Sequence, residues 1–293
     1  MVLCPEISRI TMNILTFDIE EWFHILDTDV TRTEAHWQKF ECRIHANVDR
    51  LLELLERTGT KATFFCLGWV AKKYPEIIRK IAGQGHEVAS HSMMHQLVYD
   101  LGPVAFEADV AESIKTIEAV IGRKVTVFRA PGFSIVKKTP WAFEALLKNG
   151  IETDCSVFPA HHGHGGFKEF GQARPSIIST GGSRIKEFPI NLVSFLGKSV
   201  IFSGGGYFRL FPYPLISLLF KQSDYVMTYF HPRDFDAAQP MIRGIPYRRV
   251  FKSYIGLKGA FAKLNKLLDS FEFTDVRGAA KIVDWDKAPV VHL

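Results

Sequence analysis

Short apolar runs alternate along the chain with longer segments in which apolar residues recur every three or four positions. The short runs are typical of buried strands, whereas the longer spacing is typical of helices with one buried face. The runs predict strands at 13–17, 62–66, 87–90, 125–128 and 226–230. The helical spacing predicts helices at about 43–58, 69–83, 104–121, 139–149 and 256–270. This alternation favours an α/β fold with parallel strands and helices outside, and seven or eight such units would close into a barrel.

The middle of the chain, residues 157–225, departs from this alternation. It contains glycine clusters at 163–166, 181–182 and 204–206 and many aromatic residues. We interpret it as an insertion of loops and short strands around the site, within a single domain that spans residues 1–293.

The composition is that of a globular protein, since 47% of the 293 residues are hydrophobic and 23% are charged. The net charge of +5 and the pI of about 8.9 give a mild basic bias. Such a bias suits an anionic substrate, for example a phosphate-linked or uronic sugar, but it is too small to indicate nucleic acid. Nothing in the composition indicates the oligomeric state.

The cysteines and the apolar segments predict a soluble, cytoplasmic protein without a transmembrane segment. The scattered cysteines form no C-x-x-C motif and are expected to be free thiols in a reducing compartment. They are Cys4, Cys42, Cys66 and Cys155. Glu6 and Arg9 interrupt any signal peptide, and the longest apolar run, 210–220, is far shorter than the ~20 residues of a membrane-spanning helix. Met12 is a candidate native start, because the first predicted strand follows it at once.

Side chains that can bind a metal follow two of the predicted strands. Asp18, Glu20 and Glu21 follow the first strand, where three acids are costly unless they face a metal, a cation or water. His91 and His95 follow the third strand, and two histidines four apart on one helical turn can point the same way. Two histidines and one carboxylate leave a coordination position open, which is typical of a catalytic zinc. Because active sites of parallel α/β folds assemble at strand ends, we expect these side chains to meet.

The alternation of side chains along a strand decides which acid faces the histidines. If the first strand stays extended through residue 20, Asp18 and Glu20 point the same way and Glu21 points away. We therefore assign Glu20 to the metal and Glu21 to a supporting or surface role. A bulge or turn directly after Asp18 would reverse the two acids.

Two further polar clusters follow predicted strands. Arg129 follows the fourth strand and can hold a carboxylate in one orientation, although it is equally compatible with a surface turn. His231 ends the last of these strands, and a lone histidine can also be structural. Asp154, near the end of another short segment, could hydrogen-bond His231 and raise its pKa.

Weaker candidates lie outside these clusters. The glycine-flanked histidines His161, His162 and His164 are compatible with a second metal site or with a loop that touches substrate. Ser92 lacks the surrounding G-x-S-x-G of a serine nucleophile, so we reject a serine hydrolase. The aromatic residues that could stack on a sugar ring, or equally belong to a core, are Tyr207, Phe208 and Phe211. The candidate pocket walls beside the first acidic motif are Trp22 and Trp37.

The order of these motifs resembles that of the polysaccharide deacetylases of the NodB-homology type, carbohydrate esterase family 4. The motifs, in chain order, are D-x-E at 18–20, H-S-x-x-H at 91–95, R-x-P at 129–131, an aspartate at 154 and F-H-P at 230–232. The resemblance covers about residues 13–273. The segment G-G-G-Y-F-R at 204–209 further resembles a subgroup associated with exopolysaccharide and O-antigen biosynthesis.

This resemblance implies a distorted (β/α) barrel of about seven parallel strands with a bound Zn²⁺, or another divalent ion such as Co²⁺ or Ni²⁺. It implies that Asp18 is the general base, that Arg129 orients it and that His231 is the general acid. It also implies that Asp154 is the partner of His231. The metal ligands implied are Glu20, His91 and His95. The residues expected to contact substrate are Trp22, Pro131, Phe133 and Tyr207.

Three positions depart from the usual motifs of the family. The second acid is Glu20, after an intervening isoleucine, where many members have two adjacent aspartates. Many members have an aromatic residue directly after the proline of the third motif, whereas here Gly132 stands before the aromatic Phe133. The fourth motif lacks its usual tryptophan, since Cys155 follows Asp154. The last two departures fall at predicted pocket positions, so they bear on the substrate.

We therefore predict a metal-dependent hydrolase that removes an N-acetyl group from an acetamido sugar in surface polysaccharide biosynthesis. The sugar could be linked to a nucleotide or a lipid. A deformylase or related amidohydrolase acting on a lipid-linked amino sugar would need the same residues. A carbohydrate-binding protein without catalysis is the alternative from a different class. Bound metal together with activity on an acetylated sugar would distinguish these hypotheses.

Overall fold

The computed structural model describes residues 11–26, 28–195 and 198–293, and it describes no side chains within 194–199. Cys4, Glu6 and Arg9, which entered the predictions above, lie outside the described residues. The described cysteines are free thiols, as expected; they are Cys42, Cys66 and Cys155.

Short strands carry most of the apolar runs. They are β1 (Met12–Ile14), β2 (Thr16–Ile19), β3 (Thr63–Cys66), β4 (Glu87–Ser90), β5 (Val127–Phe128), β6 (Thr153–Asp154), β7 (Ser176–Thr180), β8 (Ser183–Glu187), β9 (Val193–Phe195), β10 (Lys198–Val200), β11 (Tyr225–Met227) and β12 (Val290–His292). The first predicted strand is thus two strands, which are separated at Leu15.

The main sheet is parallel apart from one pair of strands. Its order is β12-β7-β8-β6-β5-β4-β3-β2, in which the β7–β8 pair is antiparallel and the other pairs are parallel. β1 pairs in parallel with β11, and the chain beyond β11 runs along β2, where the Asp18 amide donates to the Phe230 carbonyl at 2.7 Å. From β8 to the β11 segment there are seven neighbouring parallel strand positions. The predicted α/β fold with about seven parallel strands is therefore confirmed.

The helices pack against this sheet and against one another. They are α1 (Glu34–Trp37), α2 (Ile44–Thr58), α3 (Gly68–Lys73), α4 (Pro75–Gly83), α5 (Val98–Ile121), α6 (Trp141–Lys148), α7 (Gly205–Leu210), α8 (Tyr213–Gln222), α9 (Tyr247–Tyr254), α10 (Leu257–Ser270) and α11 (Val276–Ile282). The predicted helix at 69–83 is two helices, because Pro75 has no amide hydrogen and begins a new one. The predicted helix at 104–121 starts earlier, at Val98, and is interrupted at Gly102, which has a φ of 73°.

Successive strand residues belong to two different apolar clusters. Phe64 and Phe128 lie in the larger cluster, together with the buried faces of α2, α4, α5 and α6. Their neighbours in the sequence, Phe65 and Val127, lie in a smaller cluster. That cluster takes one residue from each of five strands, namely Ile14, Phe65, Ala89, Val127 and Met227. Side chains from five strands meet in this way when a sheet curves, so the smaller cluster fills the concave side of the sheet.

The segment 157–225 contributes to the same sheet as the rest of the chain. It contains β7 and β8, the β9–β10 pair, α7 and α8. β8 pairs with β6, so the segment is continuous with the strands that hold the site. Within the described ranges, no helix is long and apolar enough to cross a bilayer. The cytoplasmic location stays a prediction.

Candidate active site

The polar residues that follow the parallel strands meet at one buried site at the carboxyl edge of the sheet. They extend from β2, from the loops after β4 and β5, and from the segment after β11. Those residues are Asp18, Glu20, His91, His95, Arg129 and His231. Parallel neighbours bring residues distant in sequence to the same edge, and this explains why motifs far apart in the chain form one site.

Glu20, His91 and His95 form a cluster suited to a divalent cation. One ligand atom of each lies within 4.8 Å of the others. Glu20 Oε2 is buried and accepts no hydrogen bond, although His95 Nε2 is only 2.6 Å away. His91 Nδ1 lies 2.8 Å from the Arg129 carbonyl oxygen, so Nδ1 carries the proton and Nε2 keeps a lone pair for a cation. A buried acceptor without a donor beside two imidazoles fits a bound metal ion.

Burial and neighbouring charges set the ionisation of these ligands. Burial lowers the pKa of His91 to about 4, although the nearby Asp18 opposes this shift, so the imidazole is neutral. Burial alone would raise the pKa of Glu20, but the interactions of its carboxylate with His95 and His231 outweigh burial and lower it. Neutral imidazole and ionised carboxylate are the forms that bind metals.

The segment containing the two histidines is a loop, so the prediction that they lie on a helical turn was wrong. Ser92 and His95 have φ angles of 67° and 56°, in the left-handed region that residues other than glycine rarely adopt. The His95 amide donates to Ser92 Oγ at 3.1 Å, and the Met93 amide donates to Asp109 Oδ1 on α5 at 2.9 Å. These two bonds fix the loop conformation, and Ser92 acts in it as a turn residue.

The two adjacent acids after β2 point in different directions. Glu20 faces the histidines although β2 already ends at Ile19. Glu21 is buried on the other side, where its Oε1 accepts from the amides of Arg43 and Ile44 at 3.0 and 3.3 Å. These amides lie at the start of α2, so Glu21 caps that helix and compensates its dipole.

Asp18 and Arg129 form a buried ion pair beside the cluster. Arg129 Nη1 donates to Asp18 Oδ1 at 2.7 Å and to Thr16 Oγ1 at 2.8 Å. The guanidinium also lies 4.0 Å from the ring centroid of Phe65, so its position is fixed on two sides. The other carboxylate oxygen, Oδ2, is 4.0 Å from His91 Nε2 and faces the centre of the site.

His231 closes the site from the side of β11. Its Nε2 lies 3.8 Å from Asp18 Oδ2 and 3.6 Å from Glu20 Oε1. Its Nδ1 lies 3.0 Å from Asp234 Oδ2, in the 3₁₀-helix Pro232–Phe235 that follows. Burial would lower the pKa of His231, but the hydrogen bond and charge of Asp234 raise it to about 9. The imidazole is therefore protonated at neutral pH.

The prediction that Asp154 is the partner of His231 was wrong, because Asp234 holds that position. Asp154 instead accepts from the amide and the hydroxyl of Ser156, at 3.0 and 2.6 Å, and pairs with Glu187. Burial raises the pKa of Asp154 and, more strongly, that of Glu187, where the proximity of Asp154 adds to it. The raised pKa favours the protonated form of Glu187 beside Asp154.

We expect the free energy of unfolding to fall less between pH 5 and pH 8 when Glu187 is replaced by Gln. The raised pKa means that the carboxyl stabilises the fold at low pH, and this contribution is lost as pH rises above 4.5 towards the folded-state pKa. The loss approaches about 1.4 kcal/mol per pH unit for one proton. Gln keeps a donor for Asp154 and has no proton to lose, so its advantage in unfolding free energy should grow with pH. Urea unfolding at pH 5 and pH 8 measures this, with exposed Glu152→Gln as control; equal pH slopes in wild type and Glu187→Gln would contradict it.

The predicted substrate-contact residues fall into two groups. Trp22 is buried in the core, where it contacts Phe23 and Phe40 and donates to the Glu41 carbonyl at 3.0 Å, so it is not a pocket wall. The residues of the third motif, Pro131 and Phe133, are also buried. Tyr207 is 43% exposed on α7 and is free to contact a ligand.

The three loop histidines do not form a metal site in the described part of the chain, where Glu20, His91 and His95 are the only such group. His162 packs instead against Phe158 and Phe133, with ring centroids 4.6 and 5.7 Å apart. His164 Nε2 lies 3.1 Å from Arg249 Nη1.

His24 was missed by the sequence reasoning. It lies four residues after Glu20, and its Nδ1 accepts from the Glu21 amide at 3.2 Å. The ring is buried 4.3 Å from the ring of Trp37 and 6.0 Å from that of His95, measured between centroids. The spacing of His24 from Glu20 was visible, but nothing in the sequence indicated that the chain turns back after β2.

Comparison with known proteins divides the chain into two matched regions. Residues 14–150 match the family model for polysaccharide deacetylases. Residues 155–281 match the model of a domain of unknown function, DUF3473. The first region supplies Asp18, Glu20, both histidines of the cluster and Arg129, and the second supplies His231.

Several curated proteins are similar over part of the chain. A peptidoglycan-N-acetylglucosamine deacetylase of Bacillus cereus is 27% identical over 96 residues, which is 32% of this chain and 35% of that protein. A chitooligosaccharide deacetylase of Sinorhizobium fredii is 38% identical over 82 residues, 28% of this chain and 38% of that protein. These matches span little more than a third of the relatives' own length.

Solved structures share the fold over nearly the whole chain. A polysaccharide deacetylase structure from Mycobacterium smegmatis has a TM-score of 0.65 at 18% identity and covers 100% of this chain and 96% of that one. The Puue allantoinase has a TM-score of 0.60 at 13% identity and covers 94% and 90%. At these identities the likeness concerns the fold alone.

The fold and the site together place the chain in one class, that of α/β proteins with a two-histidine, one-carboxylate cluster at the carboxyl edge of a curved parallel sheet. Within that class, residues 14–150 contain a polysaccharide deacetylase domain of the NodB-homology type, carbohydrate esterase family 4.

Proposed function

We propose that the protein is a metal-dependent hydrolase that removes the acetyl group from an N-acetyl sugar. One observation carries this proposal: three buried side chains that could hold a cation, a buried Asp–Arg ion pair and His231 face one another at a single strand edge. These are the parts that amide hydrolysis needs, namely a place for a cation, a base and an acid. The names of the curated relatives, which include peptidoglycan and chitooligosaccharide deacetylases, support an acetylated sugar as the substrate.

Asp18 is positioned to act as the base. Arg129 holds one carboxylate oxygen at 2.7 Å, so the other, Oδ2, stays directed at the space between His91 and His231. A water in that space gives a proton to Asp18 while its oxygen forms a bond to the acetamide carbon, and the π electrons of the carbonyl move to its oxygen. A divalent cation held by Glu20, His91 and His95 would polarise the carbonyl and acidify the water.

His231 is positioned to act as the acid. Its pKa of about 9 keeps a proton on the imidazole at neutral pH. Nε2 transfers that proton to the amide nitrogen as the carbon–nitrogen bond breaks, so acetate and a free amine leave. An amine departs poorly without this proton, and such a transfer is worth about 10²- to 10⁴-fold in rate.

Zinc is the metal that we propose for the site, with Co²⁺ and Ni²⁺ as substitutes. Two imidazole nitrogens and one carboxylate oxygen are a common ligand set for catalytic zinc and leave a position open. The Arg129 carbonyl oxygen, which accepts from His91, provides the outer contact that usually orients a metal-binding histidine.

We propose that both matched regions form one catalytic domain that acts in exopolysaccharide or O-antigen biosynthesis. Asp18 from the first region and His231 from the second lie 3.8 Å apart, so neither region holds a complete site. The resemblance of the G-G-G-Y-F-R segment supports the biosynthetic role. The net charge of +5 supports an anionic substrate, such as a phosphate-linked sugar.

A panel of matched substrates tests this function. Zinc-loaded protein is incubated with N-acetyl and N-formyl forms of the same amino sugars, offered as oligomers, nucleotide conjugates and lipid conjugates, and released acid and amine are quantified by mass spectrometry. We expect equal amounts of acetate and amine from at least one N-acetyl sugar, and none with Asp18→Asn. Preferential release of formate would show a deformylase instead. Sugar binding without release of either acid would show a binding protein.

A further inference from the structure

The G-G-G-Y-F-R segment builds the support of His231. The segment spans the residue before α7 and most of that helix, and its arginine points inward. We propose that Arg209 and Gly205 are positioning residues that hold Asp234, and through it His231, in the geometry needed for proton transfer. This inference rests on the proposed function, because it concerns the acid of that reaction.

Asp234 divides its two oxygens between two partners. Oδ2 accepts from the backbone amide of His231 at 2.9 Å and lies 3.0 Å from its Nδ1. Oδ1 lies 3.2 Å from Arg209 Nε. The carboxylate is only 4% exposed, so water does not compete for these contacts. Arg209 therefore forms an ion pair with the carboxylate through the oxygen that His231 does not contact.

Arg209 is itself held by backbone groups. Its Nη1 donates to the Ser253 carbonyl at 2.7 Å, and its Nη2 donates to the Lys252 carbonyl at 2.9 Å. Its Nε also donates to the Gly205 carbonyl at 3.2 Å. A guanidinium fixed by the end of α9 and the start of α7 cannot follow Asp234 if that carboxylate moves. Arg209 thus acts as a fixed anchor.

The glycines allow the close approach that this anchor needs. A Cβ on Gly205 would lie 1.8 Å from Asp234 Oδ2, the oxygen that contacts His231. A Cβ on Gly204 would lie 1.9 Å from Cζ of Tyr229. A Cβ on Gly206 would meet nothing within 4 Å. Close contacts therefore exclude a side chain at Gly204 and Gly205, whereas nothing excludes one at Gly206.

The contact with Asp234 determines which nitrogen of His231 faces the site and donates the proton. With Asp234 on Nδ1, the imidazole presents Nε2 to Asp18 and Glu20, at 3.8 and 3.6 Å. The transferred proton leaves Nε2 for the departing nitrogen as the carbon–nitrogen bond breaks, and Nδ1 keeps its own. If Asp234 is displaced, the ring is free to turn and this alignment is lost.

The matched pair Gly205→Ala and Gly206→Ala tests the proposal. We expect Gly205→Ala to lower kcat on the N-acetyl sugar by about 10²-fold or more, the range for loss of general-acid catalysis, with little change in KM. Gly206→Ala should match wild type. Hydrolysis of p-nitrophenyl acetate should fall less than about threefold in both variants, because its phenolate leaves without being protonated. Metal content should be unchanged in both.

Asp234→Asn and an imidazole spectrum complete the test. Asp234→Asn keeps the size of the side chain and should show the same selective loss on the amide. The Nδ1–H resonance of His231 should be present in wild type and Gly206→Ala and absent in Gly205→Ala. Equal loss on amide and ester, or equal behaviour of the two glycine variants, would overturn the proposal. If wild type releases no acetate from any sugar, the proposed function fails, while the spectra still decide whether Gly205 positions His231.

Discussion

We expect replacement of Glu20 by Gln to abolish binding of a divalent cation at the site, and replacement of Glu21 by Gln to leave that binding intact. Glu20 Oε2 is a buried oxygen that accepts no hydrogen bond of good geometry and lies 2.6 Å from His95 Nε2, so it is available to bind a cation together with that histidine. The neutral amide of Gln carries no charge, and its oxygen is a weaker metal ligand. We expect the affinity for the metal to fall by more than about 100-fold, which exceeds the loss from removing a residue that only orients a ligand. Competition with a chelator of known affinity measures this loss.

Glu21→Gln is the matched control, with a different expected defect. Glu21 accepts from the amides of Arg43 and Ile44, so the change weakens the cap of α2 by about 1 kcal/mol. The melting temperature should fall, and the metal affinity should stay within about twofold of wild type. That change is smaller than the loss expected from removing a residue that orients a metal ligand. The reverse pattern, with metal lost from Glu21→Gln and retained by Glu20→Gln, would move the ligand to Glu21.

We expect removal of the proposed base or the proposed acid to abolish turnover and to leave metal binding unchanged. We expect Asp18→Asn and His231→Ala each to lower kcat by about 10²- to 10⁴-fold. Asp18→Asn also weakens a buried ion pair with Arg129, so its stability must be measured alongside its rate. Steady-state kinetics, elemental analysis and thermal unfolding of the same samples separate these effects.

The ion pair of Arg43 and Asp236 provides the control for this loss of stability. Its Nε–Oδ2 distance is 2.6 Å, and its aspartate is buried like Asp18. Asp236→Asn should lose stability and keep its kcat. A variant of Asp18 or His231 that retains more than about a tenth of the wild-type kcat would exclude the role assigned to that residue.

The strand-end chemistry could be predicted because it depends on regular features. Apolar runs located β2, β3 and β4, and parallel pairing brings their carboxyl ends to one edge. Alternation along β2 also directed attention to Glu20 rather than Glu21, although the strand ends one residue earlier than assumed.

The partner of His231 could not be predicted, because it depends on a turn. The 3₁₀-helix Pro232–Phe235 brings the carboxylate of Asp234 back to the residue that precedes the helix. Such local returns are short and have no periodicity. Asp154 fitted the family pattern better, but its carboxyl pairs with Glu187.

The conformation of the loop that contains His91 and His95 also could not be predicted from the sequence pattern. Two residues with positive φ, Ser92 and His95, are held there by a bond between them and by Asp109 from the following helix. Non-glycine residues adopt such angles only when their surroundings impose them. The spacing H-x-x-x-H therefore indicated that His91 and His95 lie close together, but not the backbone that presents them.

Acetate release by chelator-stripped protein, before and after zinc is returned, tests the central claim most directly. The substrate is an N-acetyl sugar on which untreated protein is active, and Glu20→Gln is carried through the same steps. We expect almost no release from stripped protein, full recovery near one zinc per chain, and no recovery for Glu20→Gln. Release that survives complete stripping, or that returns equally in Glu20→Gln, would contradict a metal-dependent hydrolase at this site.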